Sequence, residues 1–162
     1  MTEAEANWLA EYVATEANER GSLHESHASS RPLSVEYECV GLAGEFEFGA
    51  NVGQMPDLER RPNGDKGIDF MVPVLMSVDV KTARKAGHLI HEQGKPFADL
   101  YVLAEFDDVH RRATLLGWCH GKALQAAPVR DFGYGILSHH IHRGALRPMS
   151  ELLARVMRFV PR

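Results

Sequence analysis

Residues 67–82 read GIDFMVPVLMSVDVKT, and this stretch decides the fold class of the chain. β-Branched and large apolar residues dominate it, which favours extended structure. A bend near Pro73 predicts two antiparallel strands, because proline lacks the amide hydrogen that a continuous central strand needs. Apolar and polar residues alternate along the second strand as in a half-buried strand, so Asp79 and Lys81 are expected on one face. Asp69, in the first strand, can then lie alongside them.

The segments around this stretch predict an α+β or α/β/α layered fold with a mixed central β-sheet flanked by helices. Helical spacing is expected from Thr2 to about Arg20, from Ser34 to about Val52 with Tyr37 in its apolar stripe, and from Met149 to Phe159 with Ser150 as a possible cap. Strands are expected at Ala98–Phe106 and Ala113–Cys119, joined by a hairpin turn, and a short extended piece lies around 133–142. Residues 82–96 leave a short strand at 88–91 and a one-turn helix equally open. Residues 1–33 form an N-terminal helix and exposed loop, and residues 34–162 form the core of a single domain.

The two aspartates and the lysine point to metal-assisted chemistry. Two close carboxylates are unfavourable without a cation, and Mg²⁺ takes oxygen ligands while keeping several waters. Such an ion leaves open positions for a phosphate and a nucleophilic water. Lys81 beside that water can orient or deprotonate it and stabilise charge on the phosphorus oxygens. The arrangement fits phosphodiester hydrolysis.

Two motifs give the chain a family resemblance. Gly67-Ile68-Asp69 followed by Val78-Asp79-Val80-Lys81-Thr82, preceded by Gly44-Glu45-Phe46 in a helix, resembles the PD-(D/E)XK nuclease superfamily. Ile68 stands where the superfamily's name has proline. The segments at 98–103, 116–119 and 146–152 also look like later parts of phage and bacterial members.

The resemblance implies a restriction-endonuclease-like fold and a metal-dependent deoxyribonuclease. It implies that Asp69, Asp79 and the backbone carbonyl of Val80 bind Mg²⁺, or Mn²⁺ in its place. Lys81 would be catalytic, and Glu45 would assist the metal or the water. The alternative is a catalytically silent protein of the same fold that binds DNA or another protein as a regulatory module.

Neighbouring residues offer competing assignments. Asp65 lies in a turn and is expected to be exposed, and Glu47 is expected to face away from Glu45 and into solvent. His140 and His142, with His120 or His110, are a rival zinc site, but no carboxylate lies at a recognisable ligand spacing from them.

The charge distribution allows a DNA partner although the net charge is −4. Residues 1–109 carry 9 basic and 20 acidic side chains, whereas residues 110–162 carry 9 basic and 2 acidic. The basic side chains are mostly arginine, which suits bidentate contacts with phosphate. A homodimer would make sense if both strands are cut.

The composition also indicates the cellular compartment of the protein. No stretch approaches the ~20 apolar residues of a membrane span, and the acidic N-terminus does not resemble a secretion signal. Cys39 and Cys119 lie among apolar neighbours and are expected to be buried free thiols. We therefore expect a cytoplasmic protein with no membrane contact.

Overall fold

The computed structural model describes residues 11–15, 35–57, 68–72 and 76–158. Residues 11–15 are helical. The elements that follow are α1 (Val35–Val52), β1 (Phe70–Val72), β2 (Met76–Ala83), β3 (His88–Glu92), β4 (Leu100–Asp107), β5 (Arg112–His120), α2 (Gly121–Gln125), β6 (Val129–Asp131), β7 (Leu137–His142), a 3₁₀ turn (Arg143–Ala145) and α3 (Met149–Met157).

The described strands form two sheets. The larger is mixed, with the order β1-β2-β4-β5, in which β2 and β4 are parallel and the outer pairs are antiparallel. The smaller is antiparallel, with the order β3-β7-β6. This confirms the α+β class and the antiparallel pairing of β1 with β2, and Pro73 lies outside the described residues. The larger sheet is the expected mixed sheet, but β3, in the crossover between β2 and β4, does not belong to it and pairs with β7 instead.

The larger sheet is covered on both faces. On one face, α1 and α3 pack against β2, β4 and β5 through a buried cluster that includes Phe48, Val80, Val102, Trp118 and Leu152. Burying an apolar side chain of this size contributes about 1.5–3 kcal/mol, so this layer supplies much of the stability of the fold.

The opposite face packs against the smaller sheet and α2. Leu89 of β3 and Leu124 of α2 lie in one buried cluster with Tyr101, Leu103 and Cys119 of the larger sheet. A second sheet therefore occupies the side where the α/β/α expectation has helices. Strand β2 is buried continuously from residue 77 to residue 80, so the half-buried character expected for it is wrong. A parallel strand covered on both faces shows this pattern.

Helix α1 has the predicted extent, and Gly53 ends it with a φ of +70°, where glycine is favoured over other residues. Tyr37 does not belong to its buried stripe, because that side chain is 63% exposed. Phe46 instead meets Tyr12 edge to face, which joins α1 to the helical residues 11–15. In α3 the N-cap position is Pro148 rather than Ser150.

Two expectations about composition can be compared with the fold. Cys39 and Cys119 are free and buried, as expected. Among the described helices, none is long and apolar enough to cross a membrane.

Candidate functional site

The site lies where β1 leaves the edge of β2. The last paired residues are Phe70 and Val78, and the Asp69 amide donates to the Val78 carbonyl at 2.9 Å. Beyond that point the Val80 amide donates to the Asp69 carboxylate, with an N–Oδ2 distance of 2.6 Å. Because the N–H and C=O of one strand residue point to the same side, the Val80 carbonyl also faces this edge.

Asp79 and Lys81 form an ion pair beside this edge. The Lys81 Nζ lies 2.7 Å from Asp79 Oδ1, and Asp79 is 2% exposed while the Lys81 side chain is 40% exposed. The alternation of β2 places both side chains on the face that carries Tyr101, and Asp79 is in register with Tyr101 in the parallel pair. The pair therefore joins a buried carboxylate to a lysine whose side chain is partly exposed.

Glu45 reaches the site from α1 because Gly44 lets the helix lie close to β2. A Cβ at Gly44 would overlap the Thr82 hydroxyl and lie 3.1 Å from the Thr82 Cβ. The Thr82 hydroxyl in turn lies 3.5 Å from the Gly41 carbonyl, to which it donates. Glu45 follows Gly44 directly, and its charge acts on Asp69.

The electrostatics show that negative charge is in excess here. Burial raises the pKa of Asp69 well above its usual value, and the carboxylates of Glu45 and Asp79 raise it further. The Val80 amide and Lys81 act in the opposite direction without compensating. For Lys81, burial opposes the charge, but the contact with Asp79 outweighs it and the pKa of the ammonium is raised. One cation thus faces three carboxylates.

The structure brings together the four side chains that the sequence singled out, Glu45, Asp69, Asp79 and Lys81. Glu47 accepts a hydrogen bond from the Asn51 side chain at 3.1 Å, one turn further along α1. Asp65 lies outside the described residues.

Two cavities border the site. One of about 400 Å³ is lined by Asp69 together with Met55, Asp57 and Met71, and we call it the Asp69 cavity. The other, the Lys81 cavity, has a volume of about 320 Å³ and lies between the end of β2 and the smaller sheet. It is lined by residues that include Lys81, His88, Glu92, Phe132, Tyr134 and Ser138. Asp69 therefore lines one cavity and Lys81 the other.

Tyr101 and His91 form a buried hydrogen-bonded chain beneath the ion pair. The Tyr101 hydroxyl accepts from the Ala98 amide at 3.1 Å and lies 3.1 Å from His91 Nδ1. The other ring nitrogen, Nε2, lies 3.3 Å from the Lys95 carbonyl, so Nε2 carries the proton and the hydroxyl donates to Nδ1. Burial raises the pKa of Tyr101 to about 12. No sequence motif marks Tyr101 as part of the site, because only the register of β4 with β2 brings it next to Asp79.

The histidines expected to form a rival zinc site are spread over the fold. The rings of His140 and His142 both pack against the ring of His88, with centroid distances to His88 of 5.3 and 5.1 Å, respectively. His120 packs against Trp118 and His110 contacts Asp107, so neither lies with them. Over residues 11–15, 35–57, 68–72 and 76–158, no group of three or more His, Cys, Asp or Glu side chains is arranged to hold a metal ion, and this applies to Glu45, Asp69 and Asp79 as well as to the histidines.

Four arginines of the C-terminal third contact different parts of the fold. Arg143 contacts Glu105 at 3.5 Å, and Arg147 and Arg155 lie over the Trp118 ring. Arg130 lies over Phe132, with 4.4 Å between the guanidinium carbon and the ring centroid. Since Phe132 lines the Lys81 cavity, Arg130 places positive charge beside the site.

Comparison with known proteins adds no family assignment. No protein-family model, curated protein or solved structure matches this chain significantly. The arrangement of its own residues therefore carries the functional argument.

Proposed function

We propose that this chain is a metal-dependent nuclease of the PD-(D/E)XK type that hydrolyses phosphodiester bonds in DNA. One observation carries the proposal: Asp69, Asp79 and Lys81 meet at one sheet edge, with Glu45 supplied by a helix packed against that edge. The 2.6 Å contact from Val80 to Asp69 joins β2 to the start of β1 there, and the 2.7 Å contact pairs Lys81 with Asp79 within β2. A mixed sheet with α1 packed against its acidic strands is compatible with a restriction-endonuclease-like core.

The donors at this edge suit a hard divalent cation. Asp69, Asp79, Glu45 and the Val80 carbonyl offer only oxygen, the donor type that Mg²⁺ and Mn²⁺ prefer. Asp69 and Asp79 with the Val80 carbonyl would hold the ion, and Glu45 would contact it or its water. When bound, the ion would lower the pKa of a coordinated water and polarise the phosphoryl group.

Lys81 has its own part in the proposed reaction. Its side chain is partly exposed and lines a cavity, so the ammonium can reach a phosphate that enters from that side. An ammonium placed where charge accumulates on the phosphorus oxygens lowers the barrier without reorganising, because its position is already fixed by Asp79. Asp79 therefore both binds the cation and orients Lys81.

The proposal is tested by cleavage of plasmid and branched DNA with Mg²⁺ or Mn²⁺. We expect Asp79→Asn and Lys81→Ala each to reduce the rate by at least about 100-fold, the effect of removing one electrostatic stabiliser. Lys85→Ala is the matched control, because Lys85 is an exposed lysine four residues further along the chain.

The outcomes separate the alternatives. Wild-type cleavage with undiminished activity in both variants would refute the site assignment. DNA binding without cleavage at any metal concentration would favour the catalytically silent binding protein. Cutting of both strands of a duplex at one site would call for a homodimer. Sedimentation equilibrium measures the oligomeric state directly.

A further inference from the structure

The loop between β6 and β7, residues 131–136, is held in one shape by its first side chain. We call it the aromatic loop, because Phe132 and Tyr134 lie in it. Asp131 Oδ1 accepts hydrogen bonds from the amides of Gly133 at 2.8 Å, Tyr134 at 2.9 Å and Gly135 at 3.1 Å. Gly133 and Gly135 have φ values of +95° and +70°, which other residues rarely adopt. The loop is therefore preorganised.

The two aromatic rings of this loop differ in their surroundings. Phe132 is fixed by Arg130 at 4.4 Å and by the rings of His88 and His140 at 5.5 and 5.3 Å. Tyr134 is 70% exposed and borders the Lys81 cavity. The loop thus presents one ring to solvent at the mouth of a cavity whose other wall carries Lys81.

The cavity has the size of a site for one nucleotide. Its volume of about 320 Å³ is at the lower end of small-molecule sites, which measure about 300–1,000 Å³. The cavity is too small to enclose a duplex, in which the major groove alone is about 12 Å wide. Glu92 and Ser138 add polar groups to the lining.

The charges around the cavity indicate which wall would bind a base and which would bind a phosphate. Burial lowers the pKa of His88, and the neighbouring His140, His142 and Arg130 lower it further, so the His88 ring on this wall is neutral near neutral pH. Lys81 supplies the positive charge on the other side. Neutral rings beside an ammonium suit a base with its attached phosphate.

We propose that the aromatic loop binds an unpaired base of a DNA strand by stacking on Tyr134, and so delivers the adjoining phosphate to Lys81. The inference rests on the proposed function, and it names the substrate class as DNA with unpaired nucleotides beside the scissile bond. Aromatic stacking tolerates any base, because every base has a π-face.

The test uses fluorescence anisotropy with a labelled 15-nucleotide single strand and the matching duplex, with Ca²⁺ in place of Mg²⁺ and gels to verify intact DNA. Tyr134→Ala is expected to weaken single-strand binding by roughly 5- to 100-fold, the usual effect of losing one stacking ring. Tyr134→Phe is expected to bind within about twofold of wild type, since it keeps the ring. Tyr37→Ala is the matched control, because Tyr37 is an exposed tyrosine on α1.

A 2-aminopurine base in the single strand gives a second readout. Its fluorescence is expected to be quenched by wild type and by Tyr134→Phe but not by Tyr134→Ala. Equal single-strand binding by wild type and Tyr134→Ala would overturn the inference, even if metal-dependent cleavage is found. Binding that depends on Tyr134 without any cleavage would support it as a binding site and refute the proposed function instead.

Discussion

One methyl group added to α1 should have opposite effects at two positions three residues apart. At Gly41 nothing lies within 4 Å of the added Cβ, whereas at Gly44 it would overlap the Thr82 hydroxyl. Gly41→Ala should stabilise the protein by about 0.5–1 kcal/mol, because alanine loses less backbone entropy in a helix. Gly44→Ala has the same gain but must also displace Thr82 or the helix.

The overlap sets the size of the second effect. Thr82 is β-branched and its Cβ lies 3.1 Å from the added atom, so rotating the hydroxyl away does not relieve the whole contact. Overpacking of this kind costs about 1–3 kcal/mol. The difference between the two variants should therefore be about 1–3 kcal/mol, or about 3 °C in Tm per kcal/mol for a chain of this length.

Urea unfolding measures this difference directly, and Gly44→Ala/Thr82→Ala should recover part of the loss. Because Glu45 follows Gly44, the single variant should also reduce any metal-dependent cleavage more than Gly41→Ala does. Equal stability of the two alanine variants would refute the close packing of α1 on β2, and with it the placement of Glu45 beside Asp69.

Three further predictions concern the groups around the site. Tyr101→Phe removes a hydroxyl with two buried partners and should cost about 1–3 kcal/mol in urea unfolding, more than Tyr134→Phe, whose side chain is 70% exposed. Mg²⁺ at 100 times its Kd should stabilise wild type by about 2.7 kcal/mol, and Asp69→Asn should abolish this shift in thermal denaturation. Burial lowers the pKa of His91 from 6.5, so its neutral form contributes stability above that pH that is lost as the pH falls through the lowered pKa. Thermal unfolding should show this loss, and a pH-independent difference between wild type and His91→Phe would contradict it.

The proximity of Asp69, Asp79 and Lys81 could be predicted because its signals are local. Alternation within residues 67–82 places Asp79 and Lys81 on one face, and an antiparallel pair brings Asp69 to them. Glu45 depended on the family resemblance, since nothing in its own helix shows which turn of α1 meets the sheet. That information lies in Gly44, whose missing side chain has meaning only once Thr82 is known to lie against it.

The smaller sheet could not be predicted, because its pairing is not local. Strand β3 aligns His88 with His142, which lies more than fifty residues further along the chain. The sequence leaves residues 88–92 ambiguous because a five-residue strand has too few positions to show a period. The burial of Asp79 could not be predicted for the same reason, since the exposure of a strand face depends on what covers it, and here the smaller sheet covers it.

The charges around Asp69 separate two steps of the proposed DNA binding. Glu45, Asp69 and Asp79 face one ammonium group, so without a divalent cation this edge repels a phosphate, and short-range repulsion between buried groups is poorly screened by salt. Stacking of a base on Tyr134 meets no such barrier, because it uses the face of an aromatic ring rather than a phosphate contact. Removing Ca²⁺ should therefore weaken single-strand binding while leaving the quenching of a base on Tyr134 in place at saturating protein. Loss of both signals together would mean that the loop and the acidic edge do not act as separate contacts, and that the strand binds through its phosphates alone.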